Sequence, residues 1–128
     1  MMILTSLMIA FFGFWGGVAR LYGTHLLASP WNTLTINLLG AFLLPMWTGF
    51  LGPRLAKNRH WLVLGVGTGF FGAFTTFSSF CLDFVKLIIA NQLTSALAYL
   101  GISIIGGVLV AWLGVTVAQR LTMKEMRF

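Results

Sequence analysis

Acidic residues are almost missing from this sequence: Asp and Glu number 2 against 8 Lys and Arg in 128 residues. Charged residues make up 8%, well under the roughly 25% of an ordinary water-soluble domain. The 59% hydrophobic content and a mean hydropathy of +0.95 point to lipid rather than water as the solvent. The lone Cys81 rules out an internal disulfide. Its place near the end of an apolar span reads as a small packed side chain. His25 and His60 both sit at span ends with no nucleophile or metal-ligand spacing near them, so the residues for an enzyme are missing. The two acids, Asp83 near a span end and Glu125 in the tail, leave spans one and two without the intramembrane carboxylate that proton coupling usually needs. That weighs against a small proton-coupled or multidrug-type transporter, the main rival of the same size. The net charge of +6 raises nucleic acid as a partner, but the basic residues stand at the ends of apolar runs, where membrane topology accounts for them.

Long apolar runs are what the chain has instead. Four of them, at about residues 2–28, 31–52, 61–90 and 93–119, reach the roughly 20 residues a helix needs to cross a bilayer. They predict an all-α membrane protein made of one four-span domain, with no room for a soluble domain between spans. No small-residue cleavage site follows the first run, so it reads as a retained span. Lys and Arg are unequally shared between the two ends of these spans. Arg54, Lys57, Arg59, Arg120, Lys124 and Arg127 fall on one side, and Arg20 and Lys86 on the other. The richer side stays in the cytoplasm, which predicts both termini inside.

Glycine marks where helices can approach, because in lipid no hydrophobic effect drives them together. Gly13, Gly16 and Gly17 serve span one, and Gly106, Gly107 and Gly114 serve span four. Tyr99, Ser103 and Gly107 recur every four residues and form one polar or small stripe on a helix. In the third span GVGTGFFGAFTTFSSF, from Gly65, crowds glycines with the hydroxyls of Thr75, Thr76, Ser78 and Ser79. Such a run disfavours regular helix, and backbone that leaves the helix at this depth must be buried in protein or line a cavity. It predicts a broken third helix, with Phe77 and Phe80 on one face where it resumes. Their ring edges carry partial positive charge that can meet an anion.

GFFGAFTTFSSF at 69–80 resembles the signature of the Fluc (CrcB) fluoride channels, usually GFxGGxTTFSTF. GGVAR at 16–20 and TLTINLLGAF at 33–42 resemble the family's first-span end and second-span motif. The resemblance implies an antiparallel dimer with two narrow pores, passing fluoride passively and exporting it from a bacterial cell. It makes Phe77 and Phe80 the pore phenylalanines and Asn37 the pore amide. Thr76, Tyr99 and Ser103 supply hydroxyls, and Arg20 a cation at the vestibule. It further implies a structural sodium ion (Na+) at the dimer centre, held by carbonyls at Gly72 and Thr75. Departures from the pattern are Ala73 for glycine, Ser79 for threonine, Asp83 for glutamate, and Gly107 where a serine often stands. The charge bias adds a reading of its own. Like-oriented copies cannot form an antiparallel pair, so the partner is a related subunit of opposite orientation, a heterodimer. A dual-topology homodimer and a partner subunit with a partly vestigial pore are the alternatives.

Overall fold

A computed structural model describes residues 2–25, 29–57 and 59–126. Every regular element among them is helical. Four helices are long and apolar enough to cross a membrane: α1 (Met2–Gly23), α2 (Trp31–Leu55), α3 (His60–Ile89) and α4 (Leu93–Glu125). The helices do not end where the apolar runs do. α1 stops at Gly23, and of the expected span to residue 28, positions 26–28 lie outside the described residues. α4 continues to Glu125, past the expected 119. Apolar content sets how much chain lies in hydrocarbon, whereas hydrogen bonding carries a helix on into the headgroup region.

Two helix pairs build the bundle, α1 against the first part of α3 and α2 against the later part of α4. Glycine allows both contacts. A Cβ placed on Gly16 would stand 2.9 Å from the Phe70 Cα, and one on Gly69 would stand 3.1 Å from the Gly13 nitrogen. In the second pair a Cβ on Gly114 would lie 2.5 Å from the Phe42 carbonyl oxygen. Backbones this close gain dispersion contacts that larger side chains would prevent. Gly17 has nothing within 4 Å of such a Cβ and takes no part in the contact.

Three wide π turns, Trp47–Leu51, Gly65–Phe71 and Ile102–Gly106, interrupt the regular hydrogen bonding of α2, α3 and α4. The first closely follows Pro45, which has no N–H to give to the helix ladder. Within α3, Thr75 (φ −79°, ψ 158°) and Thr76 (φ −149°, ψ 120°) are extended, between helical residues ending at Phe74 and resuming at Phe77. The turn into α4 is a Schellman cap. Asn91 takes a positive φ of 57°, and the amides of Asn91 and Gln92 bond the carbonyls of Ile88 and Leu87. Large apolar side chains, Phe11, Phe14, Trp112 and Leu113 among them, are exposed, as on helices that face lipid.

Cys81 corrects one expectation. Its thiol belongs to an exposed residue rather than a packed one, on the side of the resumed part of α3 that neither α4 nor the start of α2 covers.

Candidate functional site

The site is built around the two extended threonines. Leaving the helix frees main-chain groups, and side chains take them up. The Thr76 amide would bond the Gly72 carbonyl in a continuous helix, but it donates to Asn37 Oδ1 at 2.8 Å. Asn37 Nδ2 donates back to the Thr76 carbonyl at 3.0 Å. The Ser79 amide, the helical donor for the Thr75 carbonyl, instead meets Thr76 Oγ1 at 3.2 Å. Thr76 is thus the N-cap of the resumed helix, and its hydroxyl also donates to Ser79 Oγ at 3.1 Å. Gly40 of α2 makes room for this arrangement, since any Cβ there would collide with the Thr75 methyl.

The carbonyls of Gly72 and Thr75 are consequently deprived of their helical donors, and Gly72 is exposed with open space beside it. Hard cations take oxygen ligands, so bared carbonyls of this type fit one. Among the described residues no group of three or more His, Cys, Asp and Glu could hold a metal ion.

An open groove of about 520 Å³ runs beside the interruption, lined by Asn37, Gly72, Thr75, Thr76, Phe77, Phe80 and Ser103 among others. Phe77 and Phe80 lie 5.8 Å apart between ring centroids, and Phe80 stacks on Tyr99 at 5.4 Å. Phe77 is 78% exposed. Tyr99 is fully buried and its hydroxyl lies beside Thr33 and Asp83, whereas the buried Ser103 hydroxyl, in the lining of the groove, has no hydrogen-bond partner. Most buried polar groups in proteins are paired, and each left unpaired costs roughly 1–3 kcal/mol. The Ser103 hydroxyl at the groove therefore calls for an acceptor. Arg20, half-buried at the end of α1, is remote from the interruption in sequence and forms no ion pair among the described residues.

Of the residues expected at the site, Asn37, Thr76, Phe77, Phe80 and Ser103 share the groove, with Tyr99 behind Phe80. Asn37 and Thr76 also spend polar groups on holding the backbone. Asp83 is a residue that sequence reasoning undervalued. It is 5% exposed, with Oδ1 accepting from Ser29 Oγ at 2.5 Å and Oδ2 from Thr33 Oγ1 at 2.6 Å. The carboxylate ties the resumed half of α3 to the start of α2. The four-residue spacing of Ser29 and Thr33 was the available signal.

Residues 7–115 match the family described as CrcB-like protein, Camphor Resistance (CrcB). The chain is 51% identical over 108 residues to the protein named Fluoride-specific ion channel FluC 1 of Lactobacillus delbrueckii subsp. bulgaricus, covering 84% of this chain and 83% of that one. A FluC 1 of Latilactobacillus sakei subsp. sakei is 44% identical over 126 residues, 95% of this chain and 93% of its own. A FluC 2 of Listeria innocua serovar 6a is 40% identical over 128 residues, 94% and 92% of the two chains. These relatives are named as channels and not as enzymes. Four membrane-crossing helices and a family match over most of its length place this chain in the CrcB family of fluoride-specific ion channels.

Proposed function

We propose that this chain is a pore-forming subunit of a passive, fluoride-selective channel that lets fluoride leave the cytoplasm. The observation that carries this reading is the buried, unpartnered hydroxyl of Ser103 in one groove with the rings of Phe77 and Phe80, the latter stacked on Tyr99. Fluoride is small and strongly hydrated, and a path for it must replace lost water with hydrogen-bond donors that do not hold it too firmly. The Ser103 O–H offers such a donor, that of Tyr99 a second once it turns from Thr33, and the positive edges of the phenylalanine rings add a weak attraction. The second N–H of the Asn37 amide remains for the ion once the first has bonded Thr76. Arg20 at a helix end raises the local anion concentration. With a negative cell interior, each charge leaving gains about 2.3 kcal/mol per 100 mV, so export needs no other energy source.

The same reading makes the channel an antiparallel dimer. Phe77 stands exposed at an open groove, and a second subunit would close it. The carbonyls of Gly72 and Thr75 would then hold a sodium ion, which supplies positive charge to fasten the interrupted helices. The partner is a related subunit of opposite orientation. Six cations at one end against two at the other favour a single orientation, termini inside, although Arg127 lies outside the described residues. Relatives named both FluC 1 and FluC 2 are in keeping with paired genes. Gly107, where a hydroxyl is lost from the α4 stripe, supports the second reading, a subunit one of whose pores is partly vestigial.

Fluoride efflux from liposomes tests the function, with Tyr99→Phe and Ser103→Ala as the discriminating variants. Both should reduce flux, and undiminished flux in the two together would remove the hydroxyls from the path. Cysteine accessibility at the termini in cells tests orientation. Equal exposure on both sides, with conduction by this chain alone, would replace the heterodimer with a dual-topology homodimer.

A further inference from the structure

Only two side chains in the sequence are acidic, and both are engaged. Asp83 is held by Ser29 and Thr33 at the end of the molecule where α3 meets α4. Glu125 pairs through both oxygens with Arg54, whose guanidinium carbon lies 3.8 Å from the centroid of the Phe50 ring. That pair joins the end of α2 to the end of α4. The turn carrying Lys57 and Arg59 therefore stands at the same end of the bundle as Arg120 and Lys124. All four are exposed, and none has an acidic partner among the described residues.

A cleft of about 240 Å³ opens at this end, lined by Gly49, Gln119, Thr122 and Met123. Gln119, Thr122 and Met123 follow the i, i+3, i+4 spacing of one helix face. Arg120 and Lys124, four residues apart, are neighbours on the adjoining face of α4, and Arg120 lies three residues before Met123. The cleft thus offers the Met123 side chain, an amide and a hydroxyl, with two cations on the adjoining face of the same helix. In a chain this apolar the ends of the crossing helices lie at headgroup depth, where anionic phosphate is the abundant counter-charge.

We propose that this end of the subunit is a binding surface for anionic phospholipid, with the headgroup phosphate between Arg120 and Lys124 and the first acyl carbons against Met123. Lys57 and Arg59 extend the positive field to neighbouring headgroups. The surface is separate from the groove beside Thr75 and Thr76, and the proposal does not depend on conduction.

Native mass spectrometry of the detergent-solubilised protein, given equal amounts of phosphatidylglycerol and phosphatidylcholine, tests it without regard to membrane orientation. Phosphatidylglycerol should be retained preferentially. Arg120→Gln with Lys124→Gln should reduce that retention, by about fivefold for each cation removed. Adding Lys57→Gln and Arg59→Gln should bring it to the phosphatidylcholine level, while Lys86→Gln, at the opposite end, should leave it unchanged. Inorganic phosphate at the lipid's concentration should not displace the bound phosphatidylglycerol. Equal retention of the two lipids, retention unaltered in the paired variant, or full displacement by inorganic phosphate would each overturn the proposal.

Discussion

The side-chain amide of Asn37 faces the main chain of Thr76 as a strand partner would, donating through Nδ2 to the carbonyl at 3.0 Å and accepting the amide through Oδ1 at 2.8 Å. α2 thereby supplies the hydrogen bonds that the extended threonines of α3 cannot find in their own helix. Asn37→Leu removes donor and acceptor together and should cost about 1–3 kcal/mol for each main-chain group left unpaired. Asn37→Asp keeps the acceptor and should lose less. Thermal unfolding in detergent ranks the two, and equal stability of Asn37→Leu and the native chain would show the bonds to be dispensable.

Phe77→Ile and Phe80→Ile keep apolar bulk and lose the ring edge. Flux through the assembled channel should fall sharply in both while assembly persists. The Phe80 variant also removes the ring stacked on Tyr99, so it should carry the larger loss of stability. A fluoride electrode and size-exclusion chromatography read the two effects separately.

The glycine contacts make a paired prediction. Gly16→Ala puts a Cβ 2.9 Å from the Phe70 Cα and should destabilise the α1–α3 pair by about 1–3 kcal/mol, the usual range for overpacking. Gly17→Ala meets nothing within 4 Å and should be neutral or stabilising, by up to about 1 kcal/mol from helix propensity. Melting temperatures of the two variants should move in opposite directions or, at the least, differ clearly.

Much of this architecture is legible in the sequence, because apolar length and glycine spacing act locally. The four crossings follow from hydrocarbon thickness, and the extended residues Thr75 and Thr76 fall inside the glycine-and-hydroxyl run that makes poor helix. Tertiary partnerships were harder to read. Nothing within α2 indicates that Asn37 will bond a backbone 39 positions away, and the spacing of Ser29 and Thr33 does not by itself name Asp83, 50 positions or more along the chain, as their partner. The π turn at Ile102–Gly106 is likewise absent from any periodicity, since one extra residue per turn leaves the apolar content unchanged.

Gly107 offers a gain-of-function test. A Cβ there meets nothing within 4 Å, so a serine fits without displacing a neighbour. Gly107→Ser restores a hydroxyl to the stripe of Tyr99 and Ser103 and should raise fluoride flux where the pore along α4 conducts. Flux unchanged by Gly107→Ser, yet lowered by Ser103→Ala, would place the ion path short of Gly107.

Ion selectivity under voltage alone tests the central claim most directly. Liposomes holding the chain, with and without a related subunit, are loaded with fluoride or chloride, clamped to equal pH on both sides, and given a potassium-driven membrane potential. The account predicts that fluoride leaves in response to the voltage, that chloride is retained, and that no pH gradient is needed. Equal passage of chloride, or fluoride movement only when a pH gradient is imposed, would contradict it.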